Sequence, residues 1–223
     1  MMGRISRRTG LTALLCLGLM GPAFGQGREN AGRAALLHFV KTTRSAAGSF
    51  SQVQRDRQGA LVDAESRGTF AFERPGRFAW RTSSPYVQEI VATDRVVRLW
   101  DRDLNQVTVR SLEAGAAATP AALLFGDEKA LDAFRIEEAG VNEAGAAAAV
   151  RATAKNEDNA FAEAVVAFDA EGTPVFMRLT DHFGLATELR FSQVRLNPVL
   201  TPKDFELDAP ADADILEDRT NVF

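Results

Sequence analysis

Few residues in this chain are of a kind that does covalent chemistry. His38 and His182 are its two histidines and Cys16 its one cysteine. A structural zinc site takes four nitrogen or sulfur ligands, which this set does not supply. Asp101 and Asp103 alternate at a strand end; such a pair can ligate a cation, and the same spacing marks a solvated turn. His38 falls on a helical pattern and His182 in a turn-like stretch, ordinary places for a surface or boundary histidine. The chain holds no G-x-S-x-G elbow, no H-E-x-x-H, no P-loop and no G-x-G-x-x-G. These residues point to a binding protein and not to an enzyme, with no cofactor and no metal.

The elements that position any site come from 223 residues, 46% hydrophobic and 25% charged, with a net charge of −4 and a pI near 5.4. That composition excludes a disordered chain, and the charge gives no bulk attraction to nucleic acid. Residues 1–25 read as a signal peptide: Arg4, Arg7 and Arg8, an apolar run from Leu11 to Met20, then Ala23-Phe24-Gly25 before Gln26. The run is too short to span a bilayer, where about 20 residues are needed. Ser6-Arg7-Arg8-Thr9 also fits a twin-arginine signal, with the general secretory route favoured. Removing the leader takes away Cys16 and three arginines, leaving a charge of −7. A cysteine-free chain suits an oxidising periplasm. Residues 26–223 then form one domain, with no linker to divide them.

Residues 29–44 carry Leu36, Leu37, Phe39 and Val40 at helical spacing. Beyond Gly48 the rhythm turns to period two, in about ten short strands with tight turns between them. Phe50, Phe70, Phe72, Phe78, Trp80, Trp100, Phe161, Phe176 and Phe191 all fall in these strands. Thr119-Pro120 starts a short helix through Phe125, threonine suiting the N-cap and proline the first turn; a second runs from Glu128 to Ala133. The acids Asp208, Asp212, Asp214, Glu217 and Asp218 read as a solvated tail. One helix, an antiparallel series of strands and a helical insertion make a strongly curved sheet or barrel. Arg74 continues the parity of Phe70 and Phe72, so it points to the concave side, where a guanidinium demands acceptors.

The run Gly68-Thr69-Phe70-Ala71-Phe72-Glu73-Arg74-Pro75-Gly76-Arg77-Phe78-Ala79-Trp80 is followed by Gln88-Glu89-Ile90-Val91 and by Leu99-Trp100-Asp101-Arg102-Asp103-Leu104-Asn105-Gln106-Val107-Thr108-Val109. Thr119-Pro120-Ala121-Ala122-Leu123-Leu124 comes next. This order and spacing resembles the periplasmic outer-membrane lipoprotein carriers, the LolA family, over nearly all of the mature chain. The match is weakest from Glu137 to Asn159, and Asp94-Arg95 replaces that family's usual Asp-Gly turn. The resemblance implies an incomplete (unclosed) antiparallel β-barrel with a helical lid over an apolar cavity. It implies a monomeric chaperone that accepts acylated lipoproteins from an inner-membrane ABC transporter and delivers them to an outer-membrane receptor. It assigns Phe50, Phe70, Phe72, Phe78, Trp80, Val91 and Trp100 to the cavity wall and Leu123 and Leu124 to the lid's underside. Arg74 becomes the latch, bonding to lid carbonyls.

Other readings stay open at this point. Period two does not distinguish a cavity wall from a dry core. The outer-membrane receptor of the same pathway shares the fold, but it needs a lipobox cysteine where Gln26 stands. A general carrier of periplasmic lipids fits the residues equally well. A hydrolase with an unrecognised site would turn over an ester panel, which a carrier would not.

Overall fold

The computed structural model describes residues 30–93, 96–111, 120–126, 128–155 and 161–218. The leader, the Asp94-Arg95 pair, the small-residue stretch to Thr119, the polar stretch 156–159 and the end 219–223 lie outside them. The amphipathic stretch forms α1 (Ala31–Thr42), which buries Leu36, Phe39 and Val40. Asn30 makes no side-chain cap. The carboxylate of Glu138 takes that place, accepting from the Gly32 and Arg33 N–H groups at 2.9 and 2.8 Å. Free N–H groups at a helix start favour an anion, so this carboxylate fixes α1 to the sheet.

The strands are β1 (Ser45–Arg55), β2 (Ser66–Glu73), β3 (Arg77–Ser84), β4 (Gln88–Thr93), β5 (Val96–Asp101) and β6 (Gln106–Ser111) in the first half. The second half holds β7 (Phe134–Glu138), β8 (Ala148–Ala154), β9 (Glu163–Phe168), β10 (Pro174–Thr180), β11 (Ala186–Leu196) and β12 (Asp214–Asp218). They make one twelve-stranded sheet in the order β12-β6-β5-β4-β3-β2-β1-β11-β10-β9-β8-β7, which does not close on itself. Every pairing is antiparallel except β12, which runs parallel to β6. Asp208, Asp212, Asp214 and Glu217 are exposed to solvent, but the ending is not a free tail: its residues 214–218 extend the sheet along an edge that would otherwise be unpaired.

The sheet has two covered faces. On the concave side α1 lies over β7–β9, and α2 (Pro120–Phe125) sits among the aromatic residues of β2 and β3. The stretch 128–133 is a 3-10 turn, tied to α1 by Lys41–Glu128 at 3.2 Å. On the convex side the segment 197–210 runs as a strap across β1–β5. Its Phe205 is buried against Ala47, Ala71, Ala79 and Val91. Arg81 donates to the Asp204 and Glu206 carbonyls at 3.0 and 2.8 Å, and the Asp208 N–H donates to Glu89 at 3.2 Å.

Glu188, 5% exposed on the convex side, is held by Arg178 at 2.8 Å and Arg55 at 3.3 Å. Burial pushes its carboxyl up, but the hydrogen bonds from these two arginines outweigh that and hold it below the usual carboxylate range. The ionised form thus stabilises the fold above the ordinary carboxylate pKa, and the contribution disappears as pH falls through the lowered value. Glu188→Gln should lower the thermal midpoint at neutral pH. The gap to the parent should narrow once the pH drops below about 4, as calorimetry across a pH series would show.

Candidate functional site

Directly paired residues share a face of the sheet. Phe70 faces Trp80 and Phe72 faces Phe78 across β2 and β3, and Trp80 faces Ile90 on β4. Phe50 on β1 pairs with Phe191 on β11 and with Gly68 on β2. The result is a continuous aromatic surface on the concave side. Ile90, Val97 and Leu99, half-buried, carry it onto β4 and β5.

Phe50 and Trp80 stack at 3.8 Å between centroids although β2 lies between their strands. Gly68 makes that possible. A Cβ there would sit 2.8 Å from the Phe50 ring and 1.9 Å from the Arg81 carbonyl oxygen. Gly68→Ala must push β3 away, with a cost of about 1–3 kcal/mol typical of overpacking. A lower urea midpoint with an unchanged slope would be the expected signature.

Leu123 and Leu124 of α2 are buried in the same cluster. Phe125, half-buried, packs against it, its ring centroid 4.6 Å from Phe78, 5.0 Å from Phe72 and 6.2 Å from Phe70. With α2 seated, the space between Phe39, Phe70, Phe72, Leu124, Phe125 and Phe191 is a closed gap of about 10 Å³, barely the room one water needs. With α2 in this position the gap has no room for a hydrocarbon chain.

Arg74 follows directly on β2 and bonds to the C-terminal end of α2. Its Nε donates to the Gly126 carbonyl at 2.7 Å and its Nη2 to the Leu124 carbonyl at 2.5 Å. Its Nη1 donates to the Thr43 carbonyl at the end of α1. The guanidinium also lies over the rings of Phe72 (4.7 Å) and Phe39 (5.4 Å), a favourable cation–π position. The last carbonyls of a helix lack intrahelical donors. Arg74 supplies donors to two helices at once, with bonds that break without covalent change.

Seven of the nine expected apolar residues meet on this face: Phe50, Phe70, Phe72, Phe78, Trp80, Leu123 and Leu124. Val91 and Trp100 do not. Val91 pairs with Ala79 on the convex side and packs under Phe205. Trp100 pairs with Glu89 and borders a groove of about 680 Å³ shared with Arg102, Asn105, Asp208 and Pro210. Both have the opposite parity to Ile90 and Leu99, so the register excludes them from the concave wall. Phe125 and Phe39 belong to the concave cluster but carry no strand alternation to mark them. Phe176 likewise lies outside, stacked beneath Arg178 and Arg190. Among the described residues, no group of three or more histidine, cysteine, aspartate or glutamate side chains could hold a metal, and no helix is long and apolar enough to cross a membrane.

Residues 41–208 match the sequence model of a family described as outer membrane lipoprotein carrier protein LolA. A protein of Nitrosospira multiformis named outer-membrane lipoprotein carrier protein is 34% identical over 208 residues, 93% of this chain and 99% of that one. The same name belongs to a Methylococcus capsulatus protein, 33% identical over 92% of this chain and 95% of its own. A Cupriavidus taiwanensis protein so named is 38% identical over 82% of this chain and 86% of its own. Among solved structures, an uncharacterized conserved protein from Thermus thermophilus superposes with a TM-score of 0.51 at 12% identity. That match covers 83% of this chain and 98% of the other; it is a likeness of fold.

Proposed function

This chain belongs to the outer-membrane lipoprotein carrier family, LolA, and from that premise we propose that it ferries acylated lipoproteins across the periplasm. It takes them from an inner-membrane ABC transporter, shelters their acyl chains against the concave aromatic face, and hands them to an outer-membrane receptor. Residues 1–25 serve as the export signal and 26–223 act as a monomeric carrier domain. Phe50, Phe70, Phe72, Phe78 and Trp80 line the binding face, Leu123 and Leu124 cover it, and Arg74 latches the cover.

The observation that carries this reading is the seating of α2. A short helix whose apolar residues fill the concave cluster is held by guanidinium-to-carbonyl bonds. Each buried methylene is worth roughly 0.8 kcal/mol, so a long acyl chain resists leaving a membrane by on the order of 10 kcal/mol. A carrier must match that burial and still let go. Withdrawing α2 uncovers Phe70, Phe72 and Phe78 together, and its return competes with the cargo for the same surface. The carrier's role in this exchange is binding and release.

The test is to mix the purified protein with inner-membrane spheroplasts bearing the matched transporter. A lipoprotein released into solution as a one-to-one complex is the expected result. No release in the presence of an active transporter would overturn the assignment.

A further inference from the structure

The latch does not end at Arg74. Its Thr43 acceptor belongs to the junction where α1 passes into β1, and Thr43 is 2% exposed. That junction is gripped from the far side by Asn197, just past the end of β11. The Arg44 N–H donates to Asn197 Oδ1 at 2.7 Å, and Asn197 Nδ2 donates to the Thr42 carbonyl at 3.2 Å. The Asn197 N–H donates to the Ser45 carbonyl at 2.7 Å, and Ser45 Oγ to the Pro198 carbonyl at 2.7 Å. Arg74 closes the ring through its own N–H, which donates to the Arg44 carbonyl at 2.8 Å. Asn197 has φ +54°, a left-handed conformation that asparagine tolerates better than other non-glycine residues.

Resting on the latch reading above, we propose that Asn197 is a positioning residue for the lid. Its amide bonds to both neighbours of Thr43, fixing the carbonyl that Arg74 uses. It also starts the convex strap, which Pro198 begins and Arg81 clamps further on. Closure of the lid over the concave face is therefore tied, through residues 42–45, to the seating of the C-terminal strap on the opposite face. Displacing the strap at its root loosens the latch with no contact to α2.

Uptake of the apolar dye N-phenyl-1-naphthylamine by the empty mature protein reads lid opening. Asn197→Gly keeps the backbone conformation and removes both side-chain bonds; apparent dye affinity should rise about five-fold, the worth of roughly one net hydrogen bond. Asn197→Asp keeps the acceptor for the Arg44 N–H and loses the donor, so it should fall between parent and glycine variant. In an Arg74→Leu background neither change should add anything, because groups acting through one contact are not additive. A lower thermal midpoint with unchanged dye uptake would overturn the proposal, as would an Asn197 effect of full size in the Arg74→Leu background. If Arg74→Leu alone leaves dye uptake unchanged, the latch reading itself fails, and the Asn197 proposal with it.

Discussion

Arg74→Leu should bind acylated cargo about two to three orders of magnitude more tightly than the parent and release it correspondingly slowly to the receptor. The direction follows from which state the arginine stabilises. With the lid closed it donates to three carbonyls, two on the lid segment and one just past α1, and lies over two aromatic rings. Cargo must break the lid bonds to reach the face beneath, so their free energy is subtracted from its affinity. Hydrogen bonds to a charged group are each worth about 1.5–3 kcal/mol. Part of that returns when the freed guanidinium meets water, leaving about 3–4 kcal/mol, or two to three decades. Leucine keeps apolar contact with Phe39 and Phe72 but donates nothing, so the fold should persist while the lid equilibrium shifts to open. Equilibrium binding of a fluorescent acyl peptide, followed by transfer to purified receptor, measures both arms. Cargo release by Arg74→Leu as readily as by the parent would show that the closed state owes nothing to this side chain.

The same residue shows what was legible in the sequence. Strand parity placed Arg74 with Phe70 and Phe72, and a charged group on an apolar face requires acceptors; which carbonyls would supply them required the folded chain. Parity also grouped Phe78 with Trp80. It said nothing of which face of β4 and β5 turns inward, because those strands alternate apolar residues on both sides: Ile90 and Leu99 on one, Val91 and Trp100 on the other. A strand apolar on both faces is covered on both faces. The cover for the convex side was hidden in an ending rich in acids, where Leu200, Phe205 and Leu207 supply the apolar contacts. Gly68 was equally silent in sequence. Its role appears only when Phe50 is seen reaching across it to Trp80.

The chain's two tryptophans turn that distinction between faces into a measurement. Trp80 stacks on Phe50 within the concave cluster, while Trp100 lies on the convex side near the strap. Acyl chains carrying bromine quench a tryptophan only on near contact. Bound to the parent, they should quench part of the emission; bound to Trp100→Phe they should quench nearly all of it, and bound to Trp80→Phe almost none. Affinity should divide the same way. A tryptophan buries 150–250 Å², and with about half of that facing cargo at roughly 25 cal/mol per Å², Trp80→Ala forfeits about 2 kcal/mol, a near thirty-fold weakening. Trp100→Phe should cost stability alone, since its ring is buried on the convex side beside the groove it shares with Asp208 and Pro210, away from any path the lid opens. Quenching confined to Trp100 would place the cargo on the convex groove and remove α2 and Arg74 from the transport cycle.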